Sequence, residues 1–498
     1  MEKIPDSLKI LMVTSEAAPF AKAGGLADAV SSLAVELSRM GHDVRLFLPR
    51  YYFIDAEKEK LLRHPAPLGI PMGTGEEWAG VYEGRLPRSE VLVYFLDHEA
   101  SYGRDGIYGT RNEPFFADNT ARFALFSRAA FQLCRHLGWI PDVIHSHDWP
   151  TALCNVYLKT LERNTEFSGS TGILTIHNIG YQGVMPKEDM VHIGLAWEHF
   201  YGSGFEFYDR INLLQSGIKN ADWITTVSPG YAREVMLPEK GCGMDGLLRS
   251  RKDVFTGILN GIDYEVWDPE TDPLLPFHFS SRDLRNKGRL KSRLRLELGL
   301  PDDDDRPLIG MVSRLAQQKG FGVLLSPARG NLYSICRDME IQMVILGTGE
   351  AEYEEELARL AWKLPNLKVI LQFNNPLAHL IEGGADFFLM PSIYEPCGLN
   401  QLYSLRYGTI PIVTNTGGLA DTVERYDEKT GGGTGFIIDT ADPESIYAEV
   451  ARAVEVYTRR KDHIEKIRVR GMEKHFSWKE SAEEYLVGYR KGLRLRRS

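Results

Sequence analysis

Two stretches of this chain read almost alike. Gly24-Gly25-Leu26-Ala27-Asp28-Ala29-Val30 matches Gly417-Gly418-Leu419-Ala420-Asp421-Thr422-Val423 at six of seven positions. Each follows an apolar, β-branched run and opens an amphipathic stretch, which makes it a strand-to-helix junction. A glycine pair there leaves backbone N–H groups at a helix N-terminus, where the dipole favours an anion. The same pair also suits a plain tight turn. Two junctions on two parallel sheets predict two doubly wound α/β domains facing each other across a cleft, with ligands at the carboxyl ends of the strands.

The rest of the chain repeats that grammar. Strand candidates in the first half are Lys9–Glu16, Asp43–Arg50, Val91–Asp97, Asp142–Asp148, Gly172–Asn178 and Trp223–Pro229, with helices at Leu26–Met40, Phe115–Leu137 and Arg210–Ala221. The second half has strands at Pro307–Val312, Gln342–Gly347, Leu367–Phe373, Ala385–Ser392 and Thr409–Asn415. Runs that are apolar on both faces imply buried parallel sheets covered by helices. Asp253–Asp305 reads as the segment between the halves and ends in the acidic run Asp302–Asp305. The length of 498 residues suits such a two-domain chain, at roughly 150 residues per domain.

Charge and cysteine usage narrow the function. Lys plus Arg number 58 and Asp plus Glu 68, a net charge of −10, which argues against a nucleic-acid binder that tracks phosphates. The five cysteines are widely spaced without a C-x-x-C pair, against a disulfide scaffold or structural zinc and for a reducing compartment. The polar opening Met1–Lys9 lacks an apolar signal core, and no run approaches the roughly 20 residues that cross a bilayer. The expectation is a cytoplasmic protein without a membrane partner; oligomeric state is not legible.

Candidate chemistry gathers at strand ends. Lys22 precedes the first Gly-Gly and suits a phosphate; Arg314 and Lys319 share one strand-end loop and suit a diphosphate clamp, whose charge assists leaving-group departure. Glu395, at a strand's carboxyl end and held by Pro396 and Gly398, suits sugar hydroxyl recognition or cation stabilisation. Cys397 reads as a packing residue more readily than as a low-pKa nucleophile, since no histidine neighbours it in sequence. His145 and His147 share a strand face but lack further metal ligands; His177 and Asn178 fit a hydrogen-bonding pair. The Asp302–Asp305 run reads as a solvated linker rather than a metal–nucleotide motif.

Taken together these motifs resemble the bacterial glycogen synthases and plant starch synthases. The resemblance rests on Lys22-Ala23-Gly24-Gly25-Leu26 with Asp28, His147-Asp148-Trp149, His177-Asn178-Ile179-Gly180-Tyr181-Gln182-Gly183 and Asn260-Gly261-Ile262-Asp263. It continues through Ser313-Arg314-Leu315 with Lys319-Gly320, Glu395-Pro396-Cys397-Gly398-Leu399 and Thr416-Gly417-Gly418-Leu419. It implies a GT-B glycosyltransferase: residues 1–258 and a returning helix over 476–498 as one Rossmann-like domain on the acceptor side, and residues 259–475 as the nucleotide-sugar domain. By resemblance, the reaction is retaining transfer of α-glucosyl from ADP-glucose to the 4-hydroxyl of an α-1,4-glucan, with no metal or other cofactor. Glu395, His177, Lys22, Arg314 and Lys319 would be catalytic. Gly24, Gly25, Asp28, Asp148, Asn178, Asn260, Phe373, Cys397, Gly398, Thr416, Gly417, Gly418 and Leu419 would bind substrate, with Phe373 packing on the base.

Three positions depart from the family pattern. Ala23 stands where threonine is usual, Tyr403 where related retaining transferases place a second glutamate, and Ile393 where arginine is common. UDP-glucose as donor, a glucan phosphorylase, a nucleotide-sugar epimerase and a catalytically idle glucan-binding protein are the competing readings.

Overall fold

The computed structural model describes residues 4–303 and 305–497; Met1–Lys3 of the polar opening, Asp304 of the acidic run and Ser498 lie outside the described residues. The chain divides into two units, Met1–Gly261 with Trp478–Ser498, and Ile262–Ser477. The breaks thus fall after Gly261 and Ser477, against 258 and 475 from the sequence. The reason is local: Ser481 donates to the Leu259 carbonyl in the first unit, while Ile262 N–H donates to Phe476 O in the second.

In the first unit, seven strands run parallel in the order Phe255–Gly257, Trp223–Thr226, Thr171–Ile176, Val143–His147, Lys9–Val13, Asp43–Pro49 and Leu92–Asp97. Val143–His147 and Thr171–Ile176 are buried throughout, as strands covered on both faces must be. Helix Gly25–Arg39 buries Leu26, Val30, Leu33 and Leu37, an i, i+4, i+7, i+11 stripe. The C-terminal helix Trp478–Arg497 returns to this unit and buries Tyr485 and Tyr489; Gly488 and Gly492 let it approach Trp223 and Thr171.

Four expectations need correction here. The sheet continues through Gly75–Arg85, antiparallel to Leu92–Asp97 and carrying Leu68–Met72 and Leu62–Arg63, which the sequence reading missed. Arg210–Ala221 is a strand, Arg210–Asn212, in a small antiparallel sheet, followed by helix Leu213–Asn220 that Asn212 caps. Asp253–Asp305 is no simple connector, since it contributes the edge strand Phe255–Gly257 to one unit and helix Arg285–Leu298 to the other. Within the acidic run, Asp302 and the Asp303 carbonyl tie to the buried Arg295 guanidinium, so this stretch is anchored rather than freely solvated.

The second unit is a six-stranded, wholly parallel sheet ordered Leu367–Ile370, Gln342–Leu346, Leu308–Val312, Phe387–Met390, Ile410–Thr414 and Phe436–Ile438. Apolar clusters cover its two faces. The strand order reverses between Lys9–Val13 and Val143–His147 in the first unit, and between Leu308–Val312 and Phe387–Met390 in the second. Doubly wound sheets place ligands beyond the carboxyl ends of the strands at such switch points. The loops in question begin at Thr14, Asp148, Ser313 and Pro391.

Candidate active site

In the first unit the loop after Lys9–Val13 carries Glu16, a buried carboxylate that the sequence reading missed. Its Oε2 accepts from the N–H groups of Ala23 (2.6 Å) and Gly24 (2.9 Å), and its Oε1 accepts from the Tyr108 hydroxyl (2.7 Å). These loop amides are therefore not open to an outside anion, as the repeat had suggested; a carboxylate buried at a strand end needs internal donors and takes them. Gly24 is extended (φ −158), and a Cβ there would meet nothing within 4 Å, so packing among the described residues does not require glycine at this position. Gly25 opens the helix, and Lys22, 45% exposed, pairs with Asp28 at 2.7 Å rather than standing alone.

The second switch-point loop of this unit starts at Asp148, a non-glycine residue at φ +56, a conformation that costs energy and clusters at functional sites. Its Oδ1 accepts from the N–H groups of His177 (2.6 Å) and Asn178 (3.4 Å). Burial pushes the Asp148 carboxyl up to about 8, against those two amides, with the Glu16 charge adding to the rise. Burial likewise lowers His177 to about 3, so its ring is neutral and shares one proton with His147 across 3.1 Å. His145 hydrogen-bonds Thr175 (2.6 Å) and Tyr489 of the returning helix (2.8 Å), a structural role instead of metal ligation. The buried Asn260 Oδ1 has no hydrogen-bond partner among the described residues.

The raised Asp148 pKa has a testable sign. The folded protein keeps the proton near neutrality while the unfolded chain releases it near 3.8, so the group's contribution to stability is full below pH 4 and is lost as pH rises to about 8. Asp148→Asn does not titrate. Its unfolding free energy should gain on the wild type steadily between pH 5 and 8, by about 1.4 kcal/mol per pH unit at most, with Tm following in the same sense, and hold level above. A constant Tm difference across that range would show that Asp148 is ionised.

In the second unit Lys319 and Glu395 form a direct pair, Nζ to Oε2 at 2.5 Å, and Ser392 Oγ donates to the same oxygen at 3.0 Å. Glu395 is only 5% exposed. The two loops that carry the pair are laced together by Ile393 N–H to Gln318 O, and Gly320 at φ +83 approaches Pro391 so closely that a Cβ would lie 2.1 Å from its carbonyl oxygen. Arg314 is exposed and forms no ion pair among the described residues.

The second Gly-Gly has a different reason from the first. A Cβ on Gly417 would lie 2.0 Å from Glu395 O, and one on Gly418 2.1 Å from Cys397 O; Gly418 N–H donates to Glu395 O. Gly417 and Gly418 thus pack on the backbone of Glu395 and Cys397, and the helix they open, Gly417–Thr422, after the extended Thr416, is a turn and a half. Leu419 and the thiol of Cys397 are buried, so their side chains are packing groups, and Gly398 at φ +72 makes the turn. Tyr403 stacks on Trp267 at 3.8 Å, filling the place of a second carboxylate with an aromatic packing contact. Phe373 lies beyond the edge strand, which ends at Ile370, and is 84% exposed.

Residues 9–250 match the starch synthase catalytic domain family and residues 298–470 the glycosyl transferases group 1 family. A glycogen synthase of Treponema denticola is 51% identical over 97% of this chain and 98% of its own length. The chain belongs to the glycogen and starch synthase family. It is a glycosyltransferase of the GT-B fold. The catalytic domain of starch synthase IV from Arabidopsis thaliana, solved with ADP and acarbose, aligns at TM-score 0.90 and 31% identity over 98% of this chain and 100% of that one. Sucrose-phosphate synthase from Thermosynechococcus elongatus, at TM-score 0.60 and 16% identity, shares the fold alone. Among the described residues of this family member, no helix is long and apolar enough to cross a membrane. The signal that could have revealed Glu16 was present, a carboxylate directly after a buried strand and ahead of Gly24-Gly25; its partner Tyr108 lies too far along the chain to be read with it.

Proposed function

We propose that this chain elongates α-1,4-glucans by transferring α-glucosyl from ADP-glucose to a terminal 4-hydroxyl, with retention and without a metal. The Lys319–Glu395 pair at the switch point of the second unit carries the reading. Lys319, with the exposed Arg314, meets the diphosphate as it leaves, and Glu395 offsets positive charge building on the glucosyl carbon. The residue eight positions on is Tyr403, held in an aromatic stack, so no second carboxylate there acts as nucleophile and departure and entry occur on one face. In the first unit, Lys22, the unpartnered Asn260 oxygen and the neutral His177 and Asp148 are the polar groups that suit sugar and phosphate oxygens. Phe373 offers an exposed ring to the base.

ADP as the nucleotide is supported by the ADP-bound starch synthase and by the glycogen synthases among the relatives. Nucleotide release from ADP-glucose and from UDP-glucose, each with and without glycogen, tests it. Glycogen-dependent release with the higher kcat/KM for ADP-glucose is expected; a preference for UDP-glucose would overturn the donor, and release independent of glycogen the acceptor. Activity should survive EDTA, because protein cations meet the diphosphate. Loss in EDTA restored by one divalent metal would contradict this.

A further inference from the structure

The second unit holds a cavity of about 810 Å³ at the amino-terminal end of the central strand Phe387–Met390, the end opposite Glu395. Asp386, on its floor, immediately precedes strand Phe387–Met390, whereas Glu395 follows that strand. Six lining residues are lysine or arginine and two are aspartate. Asp386 is one carboxylate shared by two cations, Lys291 at 2.7 Å and Arg468 at 2.5 Å. The buried Lys287 beside them is met by neutral oxygens only, among them Tyr407 O and Thr409 Oγ1. The Arg468 Nε is buried without a hydrogen-bond partner among the described residues. Arg289 lies over the Phe277 ring at 3.7 Å, which holds the guanidinium flat.

The cavity also has an opening that packing does not explain. Gly288 sits within helix Arg285–Leu298, where glycine is unfavourable, and a Cβ there would meet nothing within 4 Å. Burial, the largest cause, lowers the Lys291 pKa; Asp386 opposes it, and the Arg295 and Arg468 charges add smaller decreases.

We propose that this cavity binds a small phosphoryl-bearing molecule, with the phosphoryl group on Arg289 and Arg468 and the remainder against Phe277 and Leu296. Its volume is that of a metabolite site. Guanidinium and ammonium groups bind phosphoryl oxygens by charge-assisted bonds, which are the strong ones.

Calorimetric titration of the full chain with inorganic phosphate and with a hexose bisphosphate, at constant ionic strength in chloride and with ADP saturating, tests this. Both probes should bind the wild type. Arg289→Gln should weaken binding about tenfold or more, and Gly288→Leu, which fills the opening, should abolish it. Neither residue belongs to the proposed catalytic set, so both variants should keep glucosyl transfer and a Tm no lower than the wild type's. A tighter bisphosphate identifies a phosphorylated metabolite as the ligand, and equal affinity identifies free phosphate. Binding unchanged in both variants, or no binding beyond chloride, would overturn the site.

Discussion

Glu395→Gln should lower kcat on the order of 10²–10³ fold while leaving the KM for the donor nearly unchanged. The amide keeps the volume of the side chain and still presents an oxygen to Lys319 and Ser392, which lie 2.5 and 3.0 Å from Oε2, so the loop geometry survives. What is lost is the negative charge. That charge matters most when the glucosyl carbon becomes cationic, so the loss falls on the chemical step. A variant with normal kcat and only a raised donor KM would make Glu395 a sugar-binding group alone.

Lys319→Ala should damage both function and stability. The ammonium is mostly buried and pairs with a carboxylate that is more buried still. Removing it leaves the Glu395 carboxylate with the Ser392 hydroxyl in a poorly solvated place, a change that costs up to about 3–5 kcal/mol in buried pairs. Functionally, the diphosphate loses a charge it needs in both ground and transition states, so kcat/KM should fall about 10²–10³ fold and the Kd of ADP should rise with it. Lys319→Arg should recover the Tm and part of the ADP affinity. Unchanged ADP binding in Lys319→Ala would remove this lysine from the donor site.

Much of this was legible because parallel strands buried on both faces leave unmistakable apolar runs, and because each functional loop directly follows one. Lys22, Asp148, Arg314, Lys319 and Glu395 all sit at carboxyl ends of strands flanking a switch point. The antiparallel ribbon around Gly75–Arg85 escaped notice because it lies toward the sheet edge and its first residues are exposed, so no continuous apolar run marks it. Glu16 escaped because its importance lies in its partners, the amides of Ala23 and Gly24 and the Tyr108 hydroxyl. The two Gly-Gly copies taught the sharpest lesson. Identical letters serve different physics, close backbone packing at Gly417 and Gly418 and open space at Gly24.

Retaining glucosyl transfer to a glucan end without a metal fixes both the linkage of the product and its independence of divalent cations. Proton NMR of a reaction containing ADP-glucose, maltoheptaose and EDTA tests it most directly, read at the anomeric signals while ADP is counted. One new α-1,4-linked glucosyl unit per ADP released is the expected result; β-linked product, or ADP released without chain growth, would refute retaining transfer to the glucan.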